Sequence, residues 1–448
     1  MRRKLYDELS LWKNHRKRQP LIVSGARQVG KTYLLKQFGQ KEFDRFYHFD
    51  FEKSGVSLNP LFDGELDPKE IVTNLSLFVG EQIENRNSLI IFDEIQNCPR
   101  ALTSLKYFSE ELPQQAVCAA GSLLGTMLTG ESFPVGKVVF LDLYPMNFEE
   151  FLDNSGVNML YEAFDDLLSK KRSPPIVHQK LWDVLKQYYV VGGMPKAVQT
   201  YIDHKENKMH AFSEARTVQS ALLDTYVRDF NKHAGKENAV HLSSVFENIP
   251  QQLSTIIDGS VKRYRFSGVI PGKRRFAELQ GTIDWLIKSG LVLKVHICTK
   301  AELPLKAFAK QNIFKLFVFD VGLLGCMLEL APGTLFLQQF GQTKGFFAEN
   351  FVSCELAAAG ESSLYAWSGR NSEIEFLKDC EGRIVPIEVK SGLRTKAQSL
   401  RFYIDKYDPR LAIKITANPL CIGDGVLKNV PLYCAGRLPS QMPALLSS

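Results

Sequence analysis

Five short apolar runs punctuate the first third of the chain: "PLIVSG" (20–25), "RFYHFDF" (45–51), "SLIIFDE" (88–94), "QAVCAAGS" (115–122) and "KVVFLDL" (137–143). Runs of this length, apolar on both faces and closed by Gly, Asp or Glu, predict strands of a sheet covered on both sides. Segments with helical spacing separate the first four, among them Pro68–Glu84 and Pro99–Glu111. Strands alternating with helices predict a parallel sheet. An amphipathic helix is expected over 2–18. Helical patterns fill about 156–225, broken by "KRSPPI" and "VGGMP". Residues 237–330 mix helical spacing with a basic stretch. The segment "APGTLFLQQFGQTKG" (331–345) reads as a linker, after which helix, hairpin, helix and strand patterns follow. The tail "RLPSQMPALLSS" reads as disordered.

Composition changes this picture little. The chain has 448 residues, 45% hydrophobic and 23% charged, which suits about three globular domains. Its formal charge of +6 matters for nucleic acid only where it is clustered. No apolar run reaches the ~20 residues of a membrane span, and the basic N-terminal stretch lacks the apolar core of a signal peptide. Eight cysteines without a CxxC pair read as reduced thiols, so a cytoplasmic protein is expected. Eight histidines without HxxxH spacing leave only carboxylates to build a metal site.

Two motifs carry chemistry in the first sheet. "GARQVGKT" matches G-x-x-x-x-G-K-[ST] between a strand and a helix, the context that gives this pattern meaning. Gly25, Ala26, Arg27, Gln28, Val29 and Gly30 form a loop whose amides can face a phosphate. Lys31 reaches the β- and γ-phosphates, and Thr32 ligates Mg²⁺ at the helix N-terminus. "LIIFDE" ends an apolar strand with Asp93 on the Mg²⁺ side and Glu94 as a candidate base for polarising water; a solvated turn of two adjacent carboxylates is the other reading. Ser122, ending the next strand, is placed to read the γ-phosphate; a plain Gly-Ser turn is the other reading.

"SGARQVGKTYLL", "IIFDEIQNCP", "CAAGSLL", "PVGKVVFLDLYPMNFEEFL" and "YYVVGGMPKAV", in this order, resemble a large family of bacterial and archaeal AAA+-type ATPases with an uncharacterised C-terminal region. The resemblance covers nearly the whole chain and implies ATP and Mg²⁺ as cofactors. It also implies that Pro195, in "GGMP", packs by the nucleotide base; a helix break set by Gly and Pro is the alternative. No arginine finger stands out beyond the candidates Arg100 and Arg228, with Lys137 where family members carry Lys or Arg.

Further along, Lys262, Arg263, Arg265, Lys273, Arg274 and Arg275 precede an amphipathic segment in which Phe276, Leu279, Ile283, Leu286 and Ile287 share a face. A β segment, "LVLKVHI", comes next. A winged helix with its basic run on DNA phosphates is one reading, a solvated basic face the other. Near the end, "EIEFLKDCEGRIVPIEVK" (373–390) predicts a hairpin turning at Glu381-Gly382, with paired residues summing to 763. Glu375 then lies opposite Glu388, and Glu373 opposite Lys390. Facing carboxylates repel, and a divalent cation would relieve them. The set resembles a PD-(D/E)xK nuclease core, with Glu349 as the helix acid, Glu375 as the strand acid, and Glu388 and Lys390 as the E-x-K pair. By that resemblance Glu349, Glu375 and Glu388 hold metal and Lys390 is catalytic. Glu375 stands where Asp is usual, which leaves an inactive nuclease fold open. A glutamate–lysine salt-bridge cluster is the plain alternative.

The resulting expectation is an α/β chain: a P-loop AAA+-type parallel sheet (1–155) with a helical lid (156–225), a winged-helix-like region (226–340) and a restriction-endonuclease-like α/β domain (341–448). Its expected function is ATP binding and hydrolysis coupled to a nucleic-acid-associated, nuclease-like domain. The alternative is an ATP-dependent switch or scaffold whose inactive nuclease-like domain binds a partner. Expected partners are nucleotide and DNA, with no membrane and with homo-oligomerisation open.

Overall fold

The computed structural model describes residues 1–447 apart from 85–86, 123–135, 256–262, 339–340, 342–343, 370–371 and 394–396. Lys262 lies outside the described residues. The chain divides into two compact units, Met1–Tyr144 with Lys288–Gly290, and Pro145–Ile287 with Leu291–Ser448.

The first unit holds the five predicted strands: β1 (Leu21–Ser24), β2 (Arg45–Asp50), β3 (Ser88–Asp93), β4 (Ala116–Gly121) and β5 (Val139–Asp142). They form one parallel sheet in the order β2-β3-β4-β1-β5. Position in the sheet explains composition. The interior strands β3 and β4 are buried at every residue, whereas the edge strands β2 and β5 alternate. Beside β3, Phe92 meets Phe51 and Phe62 with ring centroids 5.8 and 5.6 Å apart. These edge-on pairs pin the strand whose end carries Asp93 and Glu94.

The second unit holds β6 (Val292–Cys298), β7 (Ala309–Val318), β8 (Leu364–Ser368), β9 (Glu373–Cys380), β10 (Arg383–Val389), β11 (Ala412–Thr416) and β12 (Leu427–Pro431). All seven join one mixed sheet in the order β12-β11-β10-β9-β8-β6-β7. The β6–β7 pair, expected within a winged-helix-like region, therefore lies in the same sheet as the strands of the C-terminal segment. Val295 pairs with Leu364 and Cys298 with Trp367, across the expected boundary at 340. The expected linker contains a short helix, Pro332–Phe336, with Leu335 buried.

The β9–β10 hairpin has the predicted register, from Arg383 opposite Cys380 to Ile387 opposite Phe376. Glu381 and Gly382 both have positive φ, 51° and 75°, the signature of a two-residue hairpin turn that matches strand twist. The helix Lys344–Ala358 packs against β6, β7, β8 and β10 and buries polar as well as apolar residues, among them Glu349, Asn350 and Glu355. Asn350 grips the end of β7 by bonding both N–H and C=O of Val318, at 2.9 and 2.8 Å. The tail, expected to be disordered, is a helix, Leu438–Ser447, that buries Leu438, Met442 and Leu445. Among the described residues no helix is long and apolar enough to cross a membrane.

Candidate nucleotide site and a buried charge cluster

β1 ends at Ser24, and the loop 25–30 turns the chain into the helix Lys31–Glu42. The turn depends on unusual backbone. Gln28 has φ 64° and Gly30 φ 98°, while a Cβ on Gly25 would overlap the carbonyl of Leu143. Arg3 braces the loop from outside the motif by donating to Val29 O at 2.8 Å and Tyr144 O at 2.6 Å. Lys31 is buried and donates to Gly25 O and Ala26 O, both at 2.9 Å. Burial pushes its ammonium down to about 8, against the pull of Glu94 and Asp93. A desolvated ammonium at a helix N-terminus gains from an anion, so the loop fits a nucleotide phosphate.

The two motifs meet in a hydrogen bond. Thr32 Oγ1 donates to Asp93 Oδ1 at 3.0 Å, and His48 Nε2 lies 3.0 Å from Asp93 Oδ2. Burial alone would raise Asp93, but the bonds from His48 and Thr32 outweigh it and hold the carboxyl below its usual range. An ionised carboxylate beside a threonine hydroxyl is a donor set that suits Mg²⁺. Glu94 takes a left-handed conformation, φ 50°. Its Oε2 accepts from Ser122 Oγ at 3.2 Å and from Gln96 Nε2. Sequence reasoning missed His48 and Gln96. His48 lies one strand away, on β2, and Gln96 is two residues beyond Glu94. Arg27 pairs with Glu52 at 3.3 Å. Of the finger candidates, Arg100 is held by the carbonyls of Phe62 and Gly64 in its own unit, and Lys137 pairs with Glu110 at 3.1 Å.

In the second unit, Gly192 ends the helix Pro175–Val191 and Pro195 opens the helix Pro195–Asp203. Between them Gly193 N donates to the buried Asp320 at 2.6 Å, and Gly193 O accepts from Met146 N at 2.7 Å. Packing therefore gives the two glycines a structural reason, and Pro195 is half-buried. Asp320 also caps its own helix through Leu323 N at 2.8 Å. Burial pushes its carboxyl from 3.8 up to about 6, against the amides of Gly193, Leu323 and Gly322. A folded-state value above the unfolded one means that this group's contribution is complete below about pH 4 and is lost as pH rises through 6. Asp320→Asn does not titrate. The stability of the wild-type chain relative to this variant should therefore fall from pH 4 to 6, by up to about 3 kcal/mol, and stay level above. Urea denaturation at three pH values measures this.

The basic run is only partly free. Arg274 and Arg275 are exposed but give their backbone amides to Glu278, at 2.8 and 2.7 Å, where the helix Phe276–Lys288 begins. Lys273 Nζ lies 3.3 Å from His241 Nδ1. Arg263 and Arg265 are exposed.

The four residues resembling a nuclease set are buried or half-buried, each beside a charge of opposite sign. Lys390 Nζ lies 2.6 Å from Glu388 and 3.1 Å from Glu375. The other oxygen of Glu375 takes Val389 N at 3.1 Å. Glu349 pairs at 3.5 Å with Lys315, and Lys315 also pairs with Glu373. Glu373 was expected opposite Lys390; the partner it finds is Lys315 of β7, a buried residue that sequence reasoning missed. Burial, then the Glu375 charge, raise Glu388 well above the usual carboxylate range, against Lys390. Among the described residues no group of three or more His, Cys, Asp or Glu side chains is arranged to hold a metal ion. The expected trio of Glu349, Glu375 and Glu388 is thus divided between two ammonium groups.

Comparison with known proteins agrees with the first sheet. Residues 17–152 match the family model of an AAA domain. Residues 183–334 and 344–433 match two domains of unknown function, DUF8612 and DUF4143. No curated protein matches the chain. Among solved structures, a Walker-type ATPase of Pyrococcus abyssi is similar over 73% of this chain and 95% of that chain, with 14% identity and a TM-score of 0.45. A RuvB variant of Thermotoga maritima shows 14% identity over 70% of this chain and 90% of that one, TM-score 0.31. Aeropyrum pernix ORC1 in complex with DNA shows 11% identity over 73% and 91%, TM-score 0.28.

Proposed function

We propose that this chain binds ATP with Mg²⁺ in its first unit, hydrolyses it, and uses the nucleotide state to control its second unit. The Thr32–Asp93 hydrogen bond carries the reading, because it joins the phosphate loop to the strand end that bears Glu94. Lys31 and the helix N-terminus draw the anionic phosphates. Thr32, with Asp93 behind it, would hold Mg²⁺, which would supply neutralisation of phosphate charge. Glu94 orients a water and takes its proton, with Ser122 holding the carboxylate at the phosphate end. The test is Mg²⁺-dependent phosphate release from ATP by the full chain. Tight binding without release would leave a nucleotide-operated switch.

For the second unit the observations favour the reading of a nuclease-like residue set that binds a partner and does not cut. Lys315 and Lys390 already neutralise the acids a metal would need. Contact with duplex DNA through the basic run is supported by the exposure of Arg263, Arg265, Arg274 and Arg275. Replacing Lys273, Arg274 and Arg275 by Ala should weaken duplex binding and lower the slope of log K against log salt by about 2–3, since about three phosphate contacts go. Fluorescence anisotropy at several salt concentrations measures the slope; an unchanged slope moves the run to a protein partner.

A further inference from the structure

Four acidic side chains of the second unit, Glu349, Glu373, Glu375 and Glu388, converge on two lysines. One of these, Lys390, belongs to the hairpin strand motif. The other, Lys315, comes from β7 at the far edge of the sheet order. It sits between Phe314 and Leu316 in a strand stretch whose last five residues are all buried. An ammonium in such a stretch is costly unless carboxylates surround it. Here they do: Glu349 lies at 3.5 Å and Glu373 closer. Burial pulls Lys315 down, but Glu373, Glu349 and Glu375 outweigh it and keep it charged.

We infer that Lys315 is a built-in cation occupying the place of a divalent metal among Glu349, Glu373 and Glu375, so that this cluster is complete without metal. The inference rests on the nuclease-like reading of the second unit and is independent of ATP chemistry in the first. The ion pairs support it: Glu349 and Glu373 already lie against the Lys315 ammonium, and Glu375 and Glu388 against that of Lys390. A dication would have to approach two ammonium groups already in contact with its ligands. A pocket lined by Arg263, Tyr264, Phe346 and others reaches both Lys315 and Glu349. Removing the Lys315 ammonium should therefore turn a metal-indifferent cluster into a divalent-cation site.

The test uses the full chain carrying Asp93→Asn throughout, so that Mn²⁺ bound at the phosphate loop does not register. Thermal melts are compared in EDTA and in millimolar Mn²⁺. The parent should ignore Mn²⁺. Lys315→Met should melt roughly 10 °C lower in EDTA, because a buried ion pair is broken, and Mn²⁺ should recover much of that loss. Adding Glu349→Gln to Lys315→Met should cancel the Mn²⁺ response. The deciding quantity is the Mn²⁺ shift of Lys315→Met minus that of the parent. Zero or a negative value overturns the inference even if Lys315→Met is destabilised, since Lys315 would then be an ordinary ion-pair partner. If Lys315→Met does not fold in either buffer, Mn²⁺ titration calorimetry on the parent decides. A site lost on both Glu349→Gln and Glu388→Gln overturns the inference, and the absence of such a site upholds it. Wild-type ATP turnover is scored separately, so failure here leaves the nucleotide reading standing.

Discussion

Glu94→Gln should hold ATP as tightly as the wild-type chain while releasing phosphate about 10²–10⁴-fold more slowly. The amide keeps the size of the carboxylate, and its oxygen still accepts from Ser122 and Gln96, so the strand end and phosphate loop stay in place. What it loses is the negative charge that orients water and takes its proton. Lys31→Ala should fail earlier, at binding, because it removes the ammonium that the carbonyls of Gly25 and Ala26 hold inside the loop turn. Phosphate release and equilibrium binding of a fluorescent ATP analogue separate the two. Wild-type turnover by Glu94→Gln would move the base to another residue; unchanged ATP affinity in Lys31→Ala would remove the loop from the reaction altogether.

Gly193→Ala should cost about 3 kcal/mol or more, or leave the chain insoluble. A Cβ at this position would overlap Met146 O and come within 2.8 Å of Met146 C and N. These are backbone atoms, and they cannot swing aside. Met146 N is bonded to Gly193 O at 2.7 Å, and Met146 O accepts from Tyr188 OH at 2.7 Å. Moving the strand of contacts would also strip Asp320 of one of its amide donors. Gly281 is the internal contrast. It lies within the helix Phe276–Lys288, exposed, with nothing within 4 Å of its would-be Cβ. Gly281→Ala should stabilise by about 1 kcal/mol through helix propensity alone. Urea denaturation of the two variants reads both signs, and a mild Gly193→Ala would mean that the 146–193 contact yields easily.

The first sheet was legible because strands buried on both faces read as unbroken apolar runs; β3 and β4 lie within one residue of their predicted limits at each end. The hairpin register was legible for a different reason, since a two-residue turn dictates every pair along both strands. Partners brought in from other strands were not legible. Lys315 looks like a lone charge in an apolar strand until the sheet order places it by Glu349 and Glu373, and sequence order does not give sheet order. His48 is similar: only the β2–β3 pairing brings it to Asp93. The tail was misread as a disordered terminus, although Leu438, Met442 and Leu445 have helical spacing and are buried. That helix is held by burial of its apolar face, against the cost of Pro443 inside it.

The sheet of the second unit also bears on how this chain can be divided and recombined. Two family models meet between residues 334 and 344, which invites treating residues 344–433 as an exchangeable cassette. The hydrogen bonds ignore that border, for β8 has β6 on one side and β9 on the other. A graft that began near 341 would present the β8 edge bare, along with the acids that Lys315 neutralises. An unpaired interior strand recruits other chains, so such a graft would aggregate. Swaps between relatives should carry the segment from β6 onward as one inheritance.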